Sequence, residues 1–134
     1  MNKTELPPTS EQASSPFSSN ELIQREQRIK TYLQEHDLDA LLVFSPENIY
    51  YLTGLNHFGF FSPHILIVPR SGPMQLVIRA MEQAACQAQI RNAVFQGHGD
   101  DQAPGMKATE VLQSIGLDRS RLGLEKHALF TPIQ

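Results

Sequence analysis

Residues 39–54 read DALLVFSPENIYYLTG, and this stretch decides the fold class. The apolar run 40–44 is long enough for a buried strand and too short for a helix of its own. Ser45 and Pro46 then mark a helix start, because serine caps a first turn and proline needs no hydrogen-bond partner there. Gly54 is a natural C-terminal stop. The stretch predicts a buried strand that leads into a short capped helix, a unit of a layered α/β domain.

Size and composition are those of an ordinary globular domain. The chain has 134 residues, of which 40% are hydrophobic and 19% are charged. A chain of this size and composition can bury one hydrophobic core without disulfide or metal cross-links. Its net charge of -3 and scattered basic residues give no electrostatic argument for a nucleic-acid or membrane partner. The longest apolar run is far shorter than the roughly 20 residues that span a bilayer.

Two observations favour a cytoplasmic protein. The N-terminus lacks the charged start and apolar core of a secretory signal. The single cysteine, Cys86, excludes an internal disulfide and fits a reducing compartment. Because Cys86 lies in an Ala- and Gln-rich helical stretch, we interpret it as a small packed residue rather than a reactive thiol.

The chain divides into a tail and one domain. Residues 1–19 are rich in Ser, Pro, Thr and Glu and are predicted to be a disordered tail, and residues 20–134 are predicted to form the domain. Hydrophobic periodicity and turn signals predict its other elements: helices near 20–36, 82–91 and 106–115, a hairpin of strands 65–68 and 74–78, and strands 93–96 and 122–125.

The end of the chain carries a second helix-start signal. Thr131 and Pro132 repeat the pattern of cap and proline, yet the sequence stops at Gln134. This pattern predicts a piece cut from a longer protein, and a natural frayed terminus is the alternative.

One loop cluster contains metal-ligand residue types. His98, Asp100 and Asp101 are close in sequence, but they lie in a glycine-flanked loop and are interpreted as a solvated turn. The GHG run at 97–99 resembles a dinucleotide loop, but Gln102 occupies the third glycine position, so the fingerprint fails. The sequence contains no HExxH, GxSxG, CxxC or phosphate-binding loop.

The loop 55–64, LNHFGFFSPH, is the candidate recognition site. Aromatic residues in a loop between buried elements indicate recognition, and the alternative is that its phenylalanines fold back onto the core. The candidate substrate-binding residues are His57, Phe60, Ser62 and His64. For the two histidines, a role as ordinary polar loop residues remains open.

The order of these segments resembles one family. The stretch 39–54, the strands ILIVP and MQLVIR, and the closing RLGLE at 121–125 together resemble the N-terminal domain of the creatinase / aminopeptidase P / prolidase family of M24 metallopeptidases. The resemblance covers residues 20–134. It implies a three-layer α/β/α domain with a mixed sheet, of ribonuclease H-like type, that precedes a separate "pita-bread" catalytic domain.

The resemblance also implies a function. In the peptidase members the second domain holds two divalent metals (Mn, Co or Zn), and no such ligand segment lies within these 134 residues. The N-terminal domain forms dimer or tetramer contacts, and its aromatic loop shapes the substrate pocket. By position Phe60 and Ser62 correspond to an aromatic and a basic substrate contact of creatinase-like relatives.

Ser62 lacks the guanidinium of that contact, so a parent that cleaves small Xaa-Pro peptides is the first choice. We therefore expect a non-catalytic domain for oligomerisation and pocket shaping. The alternatives are a stand-alone module that binds a small ligand or protein, and the N-terminal domain of a metal-free creatinase-like amidinohydrolase.

Overall fold

A computed structural model describes residues 16–56 and 63–125. The elements in chain order are α1 (Ser19–Glu35), β1 (Ala40–Val43), α2 (Pro46–Thr53), β2 (Ile65–Pro69), β3 (Met74–Arg79), a 3₁₀ turn (Ala80–Glu82), α3 (Gln83–Gln89), β4 (Ala93–His98), α4 (Pro104–Ser114) and β5 (Leu122–Leu124).

The strands form one mixed five-stranded sheet in the order β4-β3-β2-β1-β5. β1 pairs with β5 and β3 pairs with β4 in parallel, whereas β2 runs antiparallel to both of its neighbours. The predicted hairpin of β2 and β3 is confirmed, with Leu66 opposite Leu76. Its turn contains Gly72 at φ 97°, a left-handed conformation that glycine adopts without strain.

Both faces of the sheet are covered, which confirms the predicted three-layer α/β/α architecture. Because side chains alternate along a strand, Val43 and Leu66 face one side while Ala40 and Ile67 face the other. The first side packs against helices α1, α2 and α3 through Ile29, Ile49, Leu52 and Cys86. The second packs against α4 through Ala108, Val111 and Leu112.

The helix α1 begins earlier than the predicted tail boundary allows. Ser18 accepts a hydrogen bond from the backbone N–H of Glu21, and the Glu21 carboxylate accepts one from Ser18 N, which completes a capping box. Phe17 lies 5.1 Å from the ring of Tyr50. Residues 17–19 are therefore part of the folded domain, and the predicted tail was too long at this end. Residues 1–15 lie outside the described residues.

A cation–π contact fastens α1 to α2. The guanidinium of Arg25 lies 4.1 Å from the ring centre of Phe17 and 4.2 Å from that of Tyr51. Its Nη1 also donates a 2.9 Å hydrogen bond to the backbone oxygen of Tyr51. One side chain thus connects the N-terminal turn to both helices.

The predicted start and end of α2 are confirmed. Ser45 Oγ accepts a 3.1 Å hydrogen bond from the N–H of Asn48, and Pro46 is the first helical residue. Gly54 follows the helix at φ 83°, and its N–H donates to the Tyr50 carbonyl. This is the left-handed C-terminal cap that the glycine predicts.

The strand β4 extends two residues beyond the predicted end at Gln96. Gly97 and His98 pair with Ile78 and Arg79 of β3, so the ladder gives their backbone groups partners that the sequence does not reveal. A side chain at position 97 would bring its Cβ to 2.9 Å from the Phe95 ring, so glycine lets that ring lie across the strand. The predicted loop therefore begins at Gly99.

The interpretation of Cys86 as a packed residue is confirmed. Its side chain is buried in the first core cluster. Burial raises the pKa of the thiol to about 11, and the negative charge of Glu82 adds to the effect. Among the described residues, no helix combines the length and the apolar character needed to cross a membrane.

Candidate functional site

The polar residues of interest collect along one edge of the sheet. β1, β3, β4 and β5 run in the same direction, so their carboxyl ends share an edge, and β2 begins there. We call this the carboxyl edge. In open α/β sheets, ligands bind outside the carboxyl ends of the strands. The predicted recognition loop rejoins the sheet at this edge, immediately before β2.

Glu125 is the central residue of this edge. Its Oε1 accepts hydrogen bonds of 2.7 Å from the backbone N–H groups of Phe44 and Ser45. Its Oε2 accepts a 2.9 Å hydrogen bond from the Ser45 hydroxyl and another from the side-chain amide of Asn48. Because these donors lie at the N-terminus of α2, the carboxylate also meets the positive end of the helix dipole. The last strand is thereby fixed to the first strand–helix junction.

Asn48 is fully buried beside this carboxylate. Its backbone N–H donates to Ser45 Oγ and its side-chain amide donates to Glu125. Its Oδ1 has no hydrogen-bond partner among the described residues. Burying a hydrogen-bond acceptor without a partner costs free energy. A donor from outside the described part of the chain would therefore bind this oxygen favourably.

His98 presents a similar atom at the other end of the edge. Its side chain is 3% exposed, and its Nδ1 lies 2.9 Å from the carbonyl oxygen of Gly99. Since a carbonyl only accepts, Nδ1 carries a proton in this contact. Within residues 16–56 and 63–125, Nε2 has no hydrogen-bond partner. Arg79, opposite His98 in the ladder, pairs with Asp100 at 3.2 Å.

The predicted substrate-binding residues have different outcomes. His57, Phe60 and Ser62 lie outside the described residues, and their roles stay predictions. His64 lies directly before β2 and is 3% exposed, so it is part of the packed interior at the carboxyl edge. Its role in substrate binding also stays a prediction.

The interpretation as a solvated turn is wrong for His98, which is the buried last residue of β4, and agrees with the structure for the residues that follow it. The N–H of Gln102 donates a 3.2 Å hydrogen bond to the carbonyl of Gly99, and the side chain of Asp100 pairs with Arg79. Among the described residues, no three His, Cys, Asp or Glu side chains come together as a ligand group. The described part of the chain therefore offers no donor set that fits a metal ion.

The sequence reasoning missed Glu125 and Asn48 as a pair. Glu125 was identified only as the end of a family-like segment, and Asn48 only as an interior position of a short helix. Their contact spans 77 residues of sequence, so no local pattern could reveal it. The sequence did contain one signal. An acidic residue follows a short strand, and the capped start of a helix attracts a negative charge.

The opposite edge, which we call the amino edge, is joined by an ion-pair network. Asp39 accepts a 2.6 Å hydrogen bond from the guanidinium of Arg70 and a 2.9 Å bond from the backbone N–H of Arg121. The backbone hydrogen bond from Arg121 is the main cause that lowers the pKa of Asp39. Burial opposes it, and the hydrogen bond and charge of the Arg70 guanidinium add to the lowering. Asp37 lies 3.8 Å from Arg70 and 3.5 Å from Arg121.

Comparison with known proteins identifies the same domain from two directions. The family model described as Creatinase/Prolidase N-terminal domain matches residues 25–132. An uncharacterized hydrolase/peptidase, y4tM, of Sinorhizobium fredii is 42% identical over 52 residues, which cover 39% of this chain. The match spans only 13% of that relative's length.

Solved structures agree with the family model. A proline dipeptidase from Streptococcus pneumoniae is similar with a TM-score of 0.63 and 29% identity, over 78% of this chain and 76% of that one. The Creatinase/Prolidase N-terminal domain of an X-Pro dipeptidase from Streptococcus pyogenes gives a TM-score of 0.60 and 25% identity, over 66% of this chain and 67% of that one. The predicted resemblance is confirmed.

Proposed function

Because this chain belongs to the creatinase/prolidase N-terminal domain family, we propose that it is the non-catalytic domain of a metal-dependent Xaa-Pro peptidase. The observation that carries this proposal is the combination of the family match with its place in longer proteins. The same domain of an X-Pro dipeptidase has been solved by itself, and the match to the hydrolase/peptidase relative covers 13% of that protein. Most of such a protein lies beyond the part that resembles this chain.

In this proposal the two divalent metals of the parent enzyme are held by a segment that follows this domain. Among residues 16–56 and 63–125 no three potential ligands come together, and in this proposal the domain contributes the shape of the pocket. The proposed location is the cytoplasm, where the buried thiol of Cys86 stays reduced.

The carboxyl edge supports a role in shaping the substrate pocket. The recognition loop rejoins the sheet there at His64, between the His98 end and the Glu125 end of the edge. Glu125 and Asn48 hold the start of α2, so the element that precedes the loop is fixed in place. A loop that follows a rigid helix can present Phe60 and Ser62 reproducibly to a neighbouring active site.

The first experiment measures the activity of the isolated chain. We expect no hydrolysis of Xaa-Pro dipeptides in the presence of Mn²⁺, because the proposed catalytic residues lie in the following segment. The control is an authentic proline dipeptidase in the same buffer. Manganese-dependent turnover by the pure chain would overturn the non-catalytic assignment.

The second experiment examines the loop in the full-length parent. Phe60→Ala should change kcat/KM for Xaa-Pro dipeptides while the melting temperature stays close to that of the wild type. Phe44→Ala, at an exposed phenylalanine outside the loop, serves as the matched control for loss of a phenylalanine. A loss of thermal stability in Phe60→Ala with unchanged kcat/KM would assign Phe60 to the core instead.

The third part of the proposal is self-association through this domain into a dimer or tetramer. Its basis is family membership together with an unpaired outer strand in the described sheet. The experiment is sedimentation analysis of the purified chain, and a monomer at every concentration would contradict it.

A further inference from the structure

The carbonyl groups at the C-terminal end of α2 are bonded by side chains from other elements. A helix leaves its last carbonyl groups without partners inside the helix, so they need donors from elsewhere. Arg25 of α1 donates a 2.9 Å hydrogen bond to the carbonyl of Tyr51. Asn92, directly before β4, donates one of 2.8 Å to the carbonyl of Leu52. The end of the helix is therefore held from two sides.

Hydrogen bonds also hold the first two residues of the recognition loop. The hydroxyl of the buried Thr53 donates a 2.6 Å bond to the carbonyl of Ile49 and accepts one of 3.1 Å from the N–H of Leu55. The N–H of Asn56 donates a 2.7 Å bond to Oε1 of Gln89, the last residue of α3. Two consecutive N–H groups of the chain that leaves α2 thus have side-chain acceptors, one of them in a different helix.

The bonds from Gln89 and Asn92 come from one short connection between α3 and β4, and that connection is itself fixed. The N–H of Ile90 donates a 2.8 Å hydrogen bond to the carbonyl of Cys86, whose side chain is buried in the first core cluster. Beyond the connection, β4 pairs with β3 from Ala93 onward. A side chain on such a support holds its partner precisely, because the support does not move with it.

The bond between Gln89 and Asn56 differs from the others in exposure. Thr53 and Leu55 are buried, so their contact is part of the packed interior. The bond from Asn56 to Gln89 lies at the surface. Water can replace an exposed hydrogen bond, so this bond contributes little to the stability of the fold. It still fixes the direction in which the backbone leaves residue 56.

We propose that Gln89 is a positioning residue for the recognition loop. Its Oε1 holds the N–H of Asn56 and thereby sets the path of the chain toward Phe60 and Ser62. This inference rests on the proposed function, in which the loop shapes the pocket for Xaa-Pro peptides. It adds a residue that lies 33 positions from its partner, in a helix outside the loop. A small rotation at residue 56 displaces every residue that follows, and small displacements of groups that contact a substrate change its turnover.

The first test measures amide hydrogen exchange at Asn56 in this chain by NMR. Gln89→Met keeps the length and helix propensity of the side chain but removes its oxygen, and the Asn56 N–H should exchange about fivefold faster. Gln89→Glu keeps an acceptor and should exchange like the wild type. Gln87→Met is the matched control, because Gln87 is exposed on the same helix and its backbone carbonyl, which accepts from Arg91, is unchanged. Thermal melts verify that all variants are folded.

The second test uses the full-length parent with Ala-Pro and Phe-Pro as substrates and Mn²⁺ present. Gln89→Met should raise KM about fivefold and change the ratio of kcat/KM between the two dipeptides about threefold, with kcat close to the wild-type value. Gln89→Glu should behave like the wild type in both respects. A merely structural role would reduce the amount of folded enzyme, which lowers kcat equally for both dipeptides and leaves KM and the ratio unchanged.

The outcomes separate this inference from the broader proposal. Unchanged exchange at Asn56 in Gln89→Met overturns the inference whatever the parent enzyme does. Faster exchange with unchanged KM and ratio overturns the positioning role, and Phe60→Ala in the same assay then decides what else falls. An altered kcat/KM in Phe60→Ala leaves pocket shaping by the loop in place, and an unaltered one overturns that role too. Faster exchange and raised KM in Gln89→Met, both absent in Gln89→Glu, support the inference.

Discussion

The two edges of the sheet are built from different interactions. At the amino edge, Asp39 takes hydrogen bonds from Arg70 and from the backbone of Arg121, so three strands are joined by a partly exposed network. At the carboxyl edge, Glu125 collects its donors within one helix start, and two buried atoms, Asn48 Oδ1 and His98 Nε2, have no partner among the described residues.

This difference distinguishes polar groups that stabilise the fold from polar groups that are available for function. The ion-pair groups of the amino edge satisfy one another, although Asn92 Oδ1, directly before β4, is also buried without a partner among the described residues. The carboxyl edge combines one strongly bonded carboxylate with acceptors that have unused capacity, and it is where the recognition loop rejoins the sheet. Each buried polar atom without a partner calls for an explanation, such as a bound water or a group from outside the described residues.

The largest expected effect is at Glu125. Glu125→Ala removes the acceptor of several hydrogen bonds at the N-terminus of α2 and should lower the free energy of unfolding by about 3 kcal/mol. Glu125→Gln keeps an acceptor without the charge and should lose about half as much. Urea denaturation measures both values.

The control for this prediction is Glu47→Ala. Glu47 also lies in the first turn of α2, but its side chain is exposed, so a change within about 0.5 kcal/mol is expected. Equal losses at Glu47 and Glu125 would show that general charge near the helix start, rather than the specific contacts of Glu125, stabilises the carboxyl edge.

A smaller effect is expected from acid at the amino edge. Because the folded pKa of Asp39 is lowered, its contribution to stability is fully present above the usual value of 3.8 and is lost as pH falls through the folded pKa. Asp39→Asn should remove this part of the pH dependence below 3.8 and leave a smaller loss of stability at neutral pH than Glu125→Ala.

Thermal melts of both proteins between neutral and acidic pH measure this effect. Asp118→Asn, an exposed aspartate in the turn after α4, is the matched control and should reproduce the wild-type pH profile. An unchanged profile in Asp39→Asn would mean that the exposed network at the amino edge does not stabilise the fold.

The smallest effect is expected at His98. His98→Leu replaces a buried ring, whose Nε2 has no partner among the described residues, by an apolar side chain. The lost hydrogen bond to Gly99 and the removal of the unpaired atom should nearly cancel, within about 1 kcal/mol. Chemical denaturation gives the value. A much larger loss would indicate that Nε2 is bonded by a residue outside the described part of the chain.

Local signals were sufficient for most of the fold. Ser45, Pro46 and Gly54 each act within one turn of α2. The apolar runs of β1, β2 and β3 follow from burial of their side chains on both faces of the sheet. These features depend on residues that are close in sequence, so the sequence predicts them directly.

The site was less predictable because its contacts are distant in sequence. The strand β4 reaches His98 only because β3 is beside it, and Glu125 caps a helix that begins about 80 residues earlier. Ser18 and Phe17 show the same limit on a smaller scale. Their Ser- and Pro-rich surroundings predict a tail, yet a capping box and a ring contact include both residues in the domain.

The contact between Glu125 and Ser45 also has a consequence for folding during synthesis. The two residues are separated by 80 positions, and β5 joins the sheet beside β1, one of the earliest strands to be made. Until residue 125 has left the ribosome, the outer side of β1 is uncovered and the start of α2 lacks its hydrogen bonds to the Glu125 carboxylate. Contacts between residues so far apart in sequence form slowly. The uncovered side of β1 is therefore the part of the nascent domain that needs protection from aggregation for the longest time.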